Sequence, residues 1–219
     1  MPGKPARSLR CRCVLKPGKF ANLSDMNRFR PPVIAGLCFA LAAVSVSFAA
    51  TAHAGDAWAE LTQPATIVLF RHATAPGTGD PSDFKLGDCT TQRNLDDKGR
   101  AEARKMGERF RSHQINVGAV LSSQWCRTRE TARLAFGDGV KDEPAFNSSF
   151  LASDDISAAQ TAQARAVLLR WRGPGALVVV SHQVNVTALT GVYPSSGQGV
   201  VVRAGADGSL KVLGTIKPE

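Results

Sequence analysis

The stretch that decides the fold is TIVLFRH at residues 66–72, a short β-branched apolar run that ends in an arginine and a histidine. A second run of the same kind, ALVVVSH at residues 176–182, lies much further along the chain. Continuously apolar runs of this length are typical of parallel strands covered on both faces. We therefore predict buried strands at residues 66–70 and 176–180, each followed closely by a histidine, His72 or His182.

The patterns between and after these runs complete the prediction of an α/β fold. Residues 119–122 are a third strand candidate. Helices are predicted at residues 97–113, 128–136 and 156–171. Alternating strands and helices imply a single three-layer domain, in which helices flank both faces of a mainly parallel sheet. Residues 199–203 and 209–216 are predicted to form a C-terminal β-hairpin at the edge of this sheet.

The positive charge of the chain is concentrated before residue 55. The formal net charge is +9, but residues 1–54 hold eight Lys or Arg and one acid, Asp25, so the remainder carries only +2. This remainder also lacks an aromatic and basic stripe, which argues against a nucleic-acid partner. We therefore predict that nucleic acid is not a partner of this domain.

Residues 26–54 have the order of a secretory signal peptide, with a short basic start, an apolar run and Ala52-His53-Ala54 before Gly55. We predict cleavage near Ala54, a periplasmic or secreted domain at residues 55–219, and a mis-assigned upstream extension at residues 1–25. The alternative is an uncleaved single-span anchor, but the apolar run is barely long enough and is diluted by Ala and Ser. The processed chain would have no stable membrane span.

Cys89 and Cys126 are the two cysteines of the predicted mature domain. An even number of thiols in an oxidising compartment favours a disulfide between them. The alternative is that both are separate small hydrophobic residues. Neither the cysteine spacing nor the supply of histidines suggests a metal site.

Four positively charged or titratable groups are placed where an anion could bind. His72 and His182 follow strands that would end at the same edge of the sheet, and Arg71 precedes the first of them. Arg127 lies in LSSQWCRTRETA at residues 121–132, near the start of a predicted helix, where free backbone N–H groups favour phosphate. Each residue alone has a plainer explanation, either a hydrogen-bonded histidine or a solvated arginine. Their combination favours a phosphate pocket.

RHAT at 71–74, the SSxxCRTxxTA pattern at 122–132 and SH at 181–182 together resemble the histidine phosphatase superfamily, also called phosphoglycerate-mutase-like. The resemblance extends from about residue 67 to residue 202. It implies that His72 is the nucleophile that becomes phosphohistidine, and that Arg71, Arg127 and His182 contact the transferred phosphoryl group. We also assign Thr74 and Arg93, which lie in or beside matching motifs, to substrate binding.

The general acid is the point at which the sequence departs from the family. Phytase-like members carry the acid in an HD pair, but Gln183 follows His182 here. Mutase-like members use a glutamate from the region after the second strand, for which Glu143, Asp154 and Asp155 are candidates. We rank Glu143 first, although each of the three is also explained as a surface carboxylate.

The resemblance implies an exported phosphohydrolase of the histidine acid phosphatase type, a phosphomonoesterase that needs neither a metal nor another cofactor. Flanking guanidinium groups would keep His72 unprotonated, and His182, if protonated, would help to balance the phosphoryl charge. The motifs look most like small exported phosphatases of the lipopolysaccharide-core heptose phosphatase type, which suggests a sugar phosphate as substrate. The alternative function is a catalytically silent module that binds phosphate or another anion.

Overall fold

The computed structural model describes residues 56–217, which form helices on both faces of one six-stranded sheet. The strands are β1 (Thr66–Arg71), β2 (Val117–Ser122), β3 (Val140–Asp142), β4 (Ala176–Ser181), β5 (Gly199–Ala204) and β6 (Leu210–Ile216). The helices are α1 (Ala57–Glu60), α2 (Asp97–Ser112), α3 (Cys126–Phe136), α4 (Asp154–Leu169) and α5 (Gln183–Thr190). The predicted signal peptide and upstream extension lie outside the described residues. Within residues 56–217, no helix combines the length and the apolar character that a membrane crossing requires.

The strand order across the sheet is β3-β2-β4-β1-β5-β6. The first four strands of this order are mutually parallel, whereas β5 and β6 are antiparallel additions at one side. The predicted mainly parallel sheet and C-terminal hairpin are therefore confirmed. In the β1–β4 pair Arg71 lies opposite Ser181, so the next residue of each strand, His72 or His182, leaves the sheet at the same edge.

Alternate residues of the central strands supply two hydrophobic cores. Val68 and Phe70 of β1 pack on one face with Met106 and Phe110 of α2. On the other face, β1 residues pack with α4 and α5 residues. Because both faces are covered, residues 67–70 of β1 and 176–180 of β4 are apolar at every position and form continuous apolar runs in the sequence. The strands are thereby fixed in position, and so are the residues at their ends.

Two glycines let α2 approach its neighbours closely. A Cβ atom on Gly107 would lie 2.0 Å from the Ala135 carbonyl oxygen of α3, and one on Gly99 would lie 2.0 Å from the Thr74 carbonyl oxygen. Such distances are far below van der Waals contact. Glycine is therefore required at both positions for α2 to pack against α3 and against the loop that follows His72.

Candidate active site

Two histidines meet at one edge of the sheet. His72 directly follows β1 and His182 directly follows β4. The His72 backbone N–H donates to the Ser181 carbonyl oxygen at 2.9 Å, and the two imidazole centroids lie 5.6 Å apart, with the rings at 69° to each other. Both residues are nearly buried, with 3% and 4% of their surface exposed. The fold therefore brings together two residues that are distant along the chain.

The hydrogen bonds of His72 determine which ring nitrogen is unprotonated. Nδ1 lies 2.7 Å from the Ala73 carbonyl oxygen, which can only accept, so Nδ1 carries the proton. Nε2 is the unprotonated nitrogen, and it accepts a hydrogen bond of 3.3 Å from Nε of Arg127. Burial, assisted by the charge of Arg127, lowers the pKa of His72 to about 3. The ring is therefore a neutral imidazole, which is a competent nucleophile.

Arg127 lies at the centre of the site, in the first turn of α3, and only 3% of its side chain is exposed. Besides its bond to His72, the guanidinium donates from Nη2 to Nδ1 of His182 at 3.4 Å. It also donates to both carboxylate oxygens of Asp80, at 2.7 and 3.2 Å. A buried guanidinium is strongly destabilising unless it is paired. Here the Asp80 carboxylate supplies the negative charge, and the two imidazole rings supply further hydrogen-bond acceptors.

The second histidine is neutral as well. Because an arginine can only donate, Nδ1 of His182 accepts from Arg127, and Nε2 carries the proton that is donated to Ser123 Oγ at 2.9 Å. Burial lowers the pKa of His182 well below its ordinary value, and the nearby His72 and Arg127 lower it further. The positive charge of the site therefore comes from guanidinium groups, and His182 does not contribute charge.

The carboxylate of the site belongs to Asp80, which sequence analysis did not single out. Besides Arg127, the Asp80 carboxylate accepts hydrogen bonds from Trp125 Nε1 at 3.0 Å and from the Arg93 backbone N–H at 3.1 Å. Burial acts to raise the pKa of Asp80, but the hydrogen bonds from Arg127 and Trp125 outweigh it and lower the pKa below its ordinary value. An ionised carboxylate therefore binds both Nη donors of Arg127. A phosphate oxyanion that binds in a bidentate manner would use the same two donors.

These groups line a cavity of about 500 Å³. Its charged lining residues are Arg71, Arg93, Arg127 and Asp80, three guanidinium groups against one carboxylate. Within the described part of the chain, the buried Nε of Arg71 has no hydrogen-bond partner. A net charge of two positive units matches a phosphomonoester dianion, and the unpaired Nε is a donor that such an anion can satisfy.

Residues 67–147 match the family model described as histidine phosphatase superfamily (branch 1). Over this range the chain is similar to the histidine phosphatase superfamily. The matched range includes His72 and Arg127, whereas His182 lies beyond it. No curated protein matches the sequence at a significant level.

Solved structures that resemble the chain include the product of open reading frame Rv3214 from Mycobacterium tuberculosis, with a TM-score of 0.51 and 14% identity over 70% of this chain and 98% of that chain. A phosphoserine phosphatase from Entamoeba histolytica has a TM-score of 0.48 and 14% identity, over 68% and 95% of the two chains. The protein histidine phosphatase SixA, complexed with tungstate, has a TM-score of 0.45 and 16% identity, over 70% and 97%. At 14% identity, the likeness to the Rv3214 product shows a shared fold alone.

Two residues that the superfamily motifs assigned to substrate binding make mainly structural contacts. Arg93 lines the cavity, but its Nε donates to the Gly79 carbonyl oxygen at 2.7 Å and its Nη1 donates to the carbonyl oxygen of Ala75. Thr74 is not among the lining residues, because its backbone N–H and its hydroxyl both donate to the Glu102 carboxylate, at 2.9 and 3.0 Å. Both residues therefore fix the loop after β1.

Glu143 is not among the lining residues of the cavity either. Its Oε1 accepts a hydrogen bond of 3.2 Å from the backbone N–H of Ala145, and Glu143 thereby caps the 3-10 turn Pro144–Phe146. The structure thus gives Glu143 a local capping contact in place of the predicted position beside the leaving group. Asp154 and Asp155, in the first turn of α4, do not line the cavity either.

A disulfide joins Cys89 to Cys126, as the sequence predicted. It connects the loop after β1 to the first residue of α3. In the same region the backbone N–H of Cys126 donates to Gln92 Oε1 at 2.9 Å. Because Arg127 follows Cys126 directly, the bridge ties this loop, including the segment of Asp80, to the helix that carries the central guanidinium.

Replacing both cysteines, as Cys89→Ser with Cys126→Ser, should lower the free energy of unfolding by about 2–4 kcal/mol, since the bridge closes a long loop in the unfolded chain. Urea denaturation of the oxidised parent and of the double variant measures this difference. A reductant should destabilise the parent and leave the variant unchanged. Equal unfolding free energies of the oxidised parent and the variant would show that the bridge does not stabilise the fold.

The low pKa of His72 should make the free energy of unfolding depend on pH between the ordinary histidine value of 6.5 and about 3. In this window the unfolded chain binds a proton that the folded chain excludes, so stability falls as the pH falls. The His72→Gln variant should lack this contribution. Its free energy of unfolding should therefore fall with decreasing pH less steeply than that of the parent, and the two slopes should differ by about 1 kcal/mol for each pH unit. Urea denaturation at pH 6.5, 5.5 and 4.5 compares the two slopes. Parallel slopes would contradict the neutral, buried assignment of His72.

Proposed function

We propose that this chain is an exported phosphohydrolase, which transfers the phosphoryl group of a phosphomonoester to Nε2 of His72 and then to water. This proposal rests mainly on the groups that surround Nε2 of His72. The Ala73 carbonyl fixes the proton on Nδ1, and Arg127 donates to Nε2 at 3.3 Å. Phosphoryl transfer needs chiefly an aligned nucleophile and positive charge around the equatorial oxygens, and this site offers both.

In the first step, the Nε2 lone pair of His72 forms a bond to phosphorus while the bond from phosphorus to the leaving oxygen breaks. Arg71 and Arg127 balance the charge of the phosphoryl oxygens. In the second step, water attacks phosphorus while one of its protons passes to the Asp80 carboxylate, the P–N bond breaks, and inorganic phosphate leaves. His72 regains its neutral form. Both steps use side chains of this chain and water, and neither step requires a metal.

Asp80 is assigned two roles in this proposal. Without substrate, its carboxylate forms an ion pair with the Nη groups of Arg127. A bound phosphoryl group competes for the same donors and repels the carboxylate, which raises the tendency of Asp80 to take up a proton. The protonated Asp80 can then donate to the leaving oxygen. We therefore propose Asp80 as the general acid, because it lines the cavity and Glu143 does not.

The loop that carries Asp80 contains three glycines in the left-handed backbone region. Gly77, Gly79 and Gly87 all have positive φ, at 89°, 73° and 92°, a backbone region that glycine adopts without strain. Asp80 lies between the first two of these glycines and the third. The disulfide at Cys89 holds the end of this loop that lies after Asp80. A shift of the Asp80 carboxylate would therefore leave that end of the loop in place.

Export is supported by the signal-peptide pattern at residues 26–54 and by the disulfide, since disulfides persist mainly in oxidising compartments. We propose a periplasmic or secreted domain that begins at Gly55. The motif resemblance to phosphatases of the lipopolysaccharide-core heptose type makes a sugar phosphate one candidate substrate.

The His72→Ala variant should lose phosphate release from para-nitrophenyl phosphate by at least about a thousandfold in kcat/KM, because the variant lacks the nucleophile. His113→Ala is the matched control, since His113 is the C-cap of α2, stacks on Trp58 and does not line the cavity; this variant should keep the parent rate. In the parent protein, an alkaline quench should trap phosphate on His72.

Equal activity of the parent and the His72→Ala variant would overturn the proposed mechanism. Binding of inorganic phosphate by the parent, without hydrolysis of any phosphomonoester, would instead favour the catalytically silent anion-binding module. Isothermal titration with phosphate, run beside the activity assay on the same preparation, distinguishes these two results.

A further inference from the structure

The mouth of the catalytic cavity is apolar, in contrast to its cationic floor. Phe150, Leu151 and Tyr193 line the cavity and are 55%, 87% and 72% exposed. The described residues include six exposed large hydrophobic side chains, and these three surround one opening. Clustered exposed apolar groups mark a ligand-binding surface more often than scattered ones do. The opening therefore has the character of a binding site for an apolar group.

An aromatic wall connects this mouth to the reacting groups. The Phe84 and Trp125 rings stack, with centroids 5.1 Å apart and planes at 19°. The Trp125 ring in turn meets the His182 ring edge-on at 5.4 Å, and its Nε1 donates to Asp80. The leaving group of a phosphomonoester bound for attack by His72 would thus lie beside two aromatic rings whose positions are fixed by packing and by a hydrogen bond.

The charged side chains of the cavity are concentrated at its floor, and its other polar lining residues, besides the two histidines, are Thr78, Ser148 and Gln183. Its charged lining residues are the four of the phosphate site, Arg71, Asp80, Arg93 and Arg127. The apolar lining residues of the mouth and wall are Phe84, Trp125, Phe150, Leu151, Val184 and Tyr193. Recognition of a sugar requires several polar groups placed to match its hydroxyls, whereas an apolar group requires contact area. The composition of the mouth favours the apolar group.

We infer that the physiological substrate is a phosphomonoester whose leaving group is an aryl or alkyl moiety, seated between the Phe84–Trp125 wall and the Phe150–Leu151 segment. The inference rests on the proposed function, because it names the class of phosphomonoester that the same site hydrolyses. A cavity of about 500 Å³ has room for the phosphate and for such a group.

The test compares 3-phenylpropyl phosphate, propyl phosphate and glucose 6-phosphate. All three release a primary alcohol, so that differences in kcat/KM report binding of the attached group more than leaving-group ability. We expect kcat/KM for the phenylpropyl ester to exceed that for the propyl ester by about tenfold to a hundredfold, from the burial of one phenyl ring. Glucose 6-phosphate should be hydrolysed no faster than the propyl ester.

The double variant Phe150→Ser with Leu151→Ser should reduce the phenylpropyl-to-propyl ratio at least about fivefold. The matched control is Ile156→Ser, which removes an exposed apolar side chain (60% exposed) that does not line the cavity. This control should keep both the ratio and the parent rate. The readout is a ratio within one protein, so a general change in activity cannot imitate the effect.

A parent ratio near one, or faster hydrolysis of glucose 6-phosphate, would overturn the inference while leaving the proposed phosphohydrolase intact. A high ratio that persists in the double variant would overturn the assignment of Phe150 and Leu151 as the binding surface. Absence of phosphate release from all three esters would overturn this inference, and absence of release from para-nitrophenyl phosphate as well would overturn the proposed function.

Discussion

The buried guanidinium of Arg127 is the interaction on which the rest of the site depends. It contacts both imidazoles and one carboxylate within hydrogen-bond distance, and only 3% of it reaches solvent. A positive charge this deeply buried needs a negative partner at all times. In the folded chain Asp80 is that partner, and in our account a phosphoryl group replaces it during the reaction. The same charge helps to keep His72 and His182 neutral.

The fold places this guanidinium through three independent constraints. The parallel β1–β4 pair brings His72 and His182 to one sheet edge, and α3 begins where the short strand β2 ends, so Arg127 faces that edge. The disulfide between Cys89 and Cys126 then ties the loop after β1 to the same helix start. The apolar mouth lies above these groups, so that positive charge and apolar contact area are separated by depth within a single cavity.

The centre of the fold and site was predictable because it is encoded locally. Continuous apolar runs identify β1 and β4, and the residues after them are the paired histidines. The short elements were missed: β3 has three residues, and the eight residues of α5 mix Val, Leu, Asn and Thr without a clear apolar stripe. Asp80 was also missed, since its loop has no periodicity and its partners Trp125 and Arg127 lie far along the chain. Glu143 was chosen by analogy with the family, and its local cap to Ala145 is invisible in sequence.

The most direct test of the account is a crystal structure of the protein with bound tungstate, a tetrahedral oxyanion of the size of phosphate. We predict that the oxyanion lies against Nε2 of His72 and Nε of Arg71, that it accepts both Nη donors of Arg127, and that the Asp80 carboxylate has left that guanidinium. Tungstate bound elsewhere, with the Asp80–Arg127 pair intact and no anion at His72, would contradict the central claim.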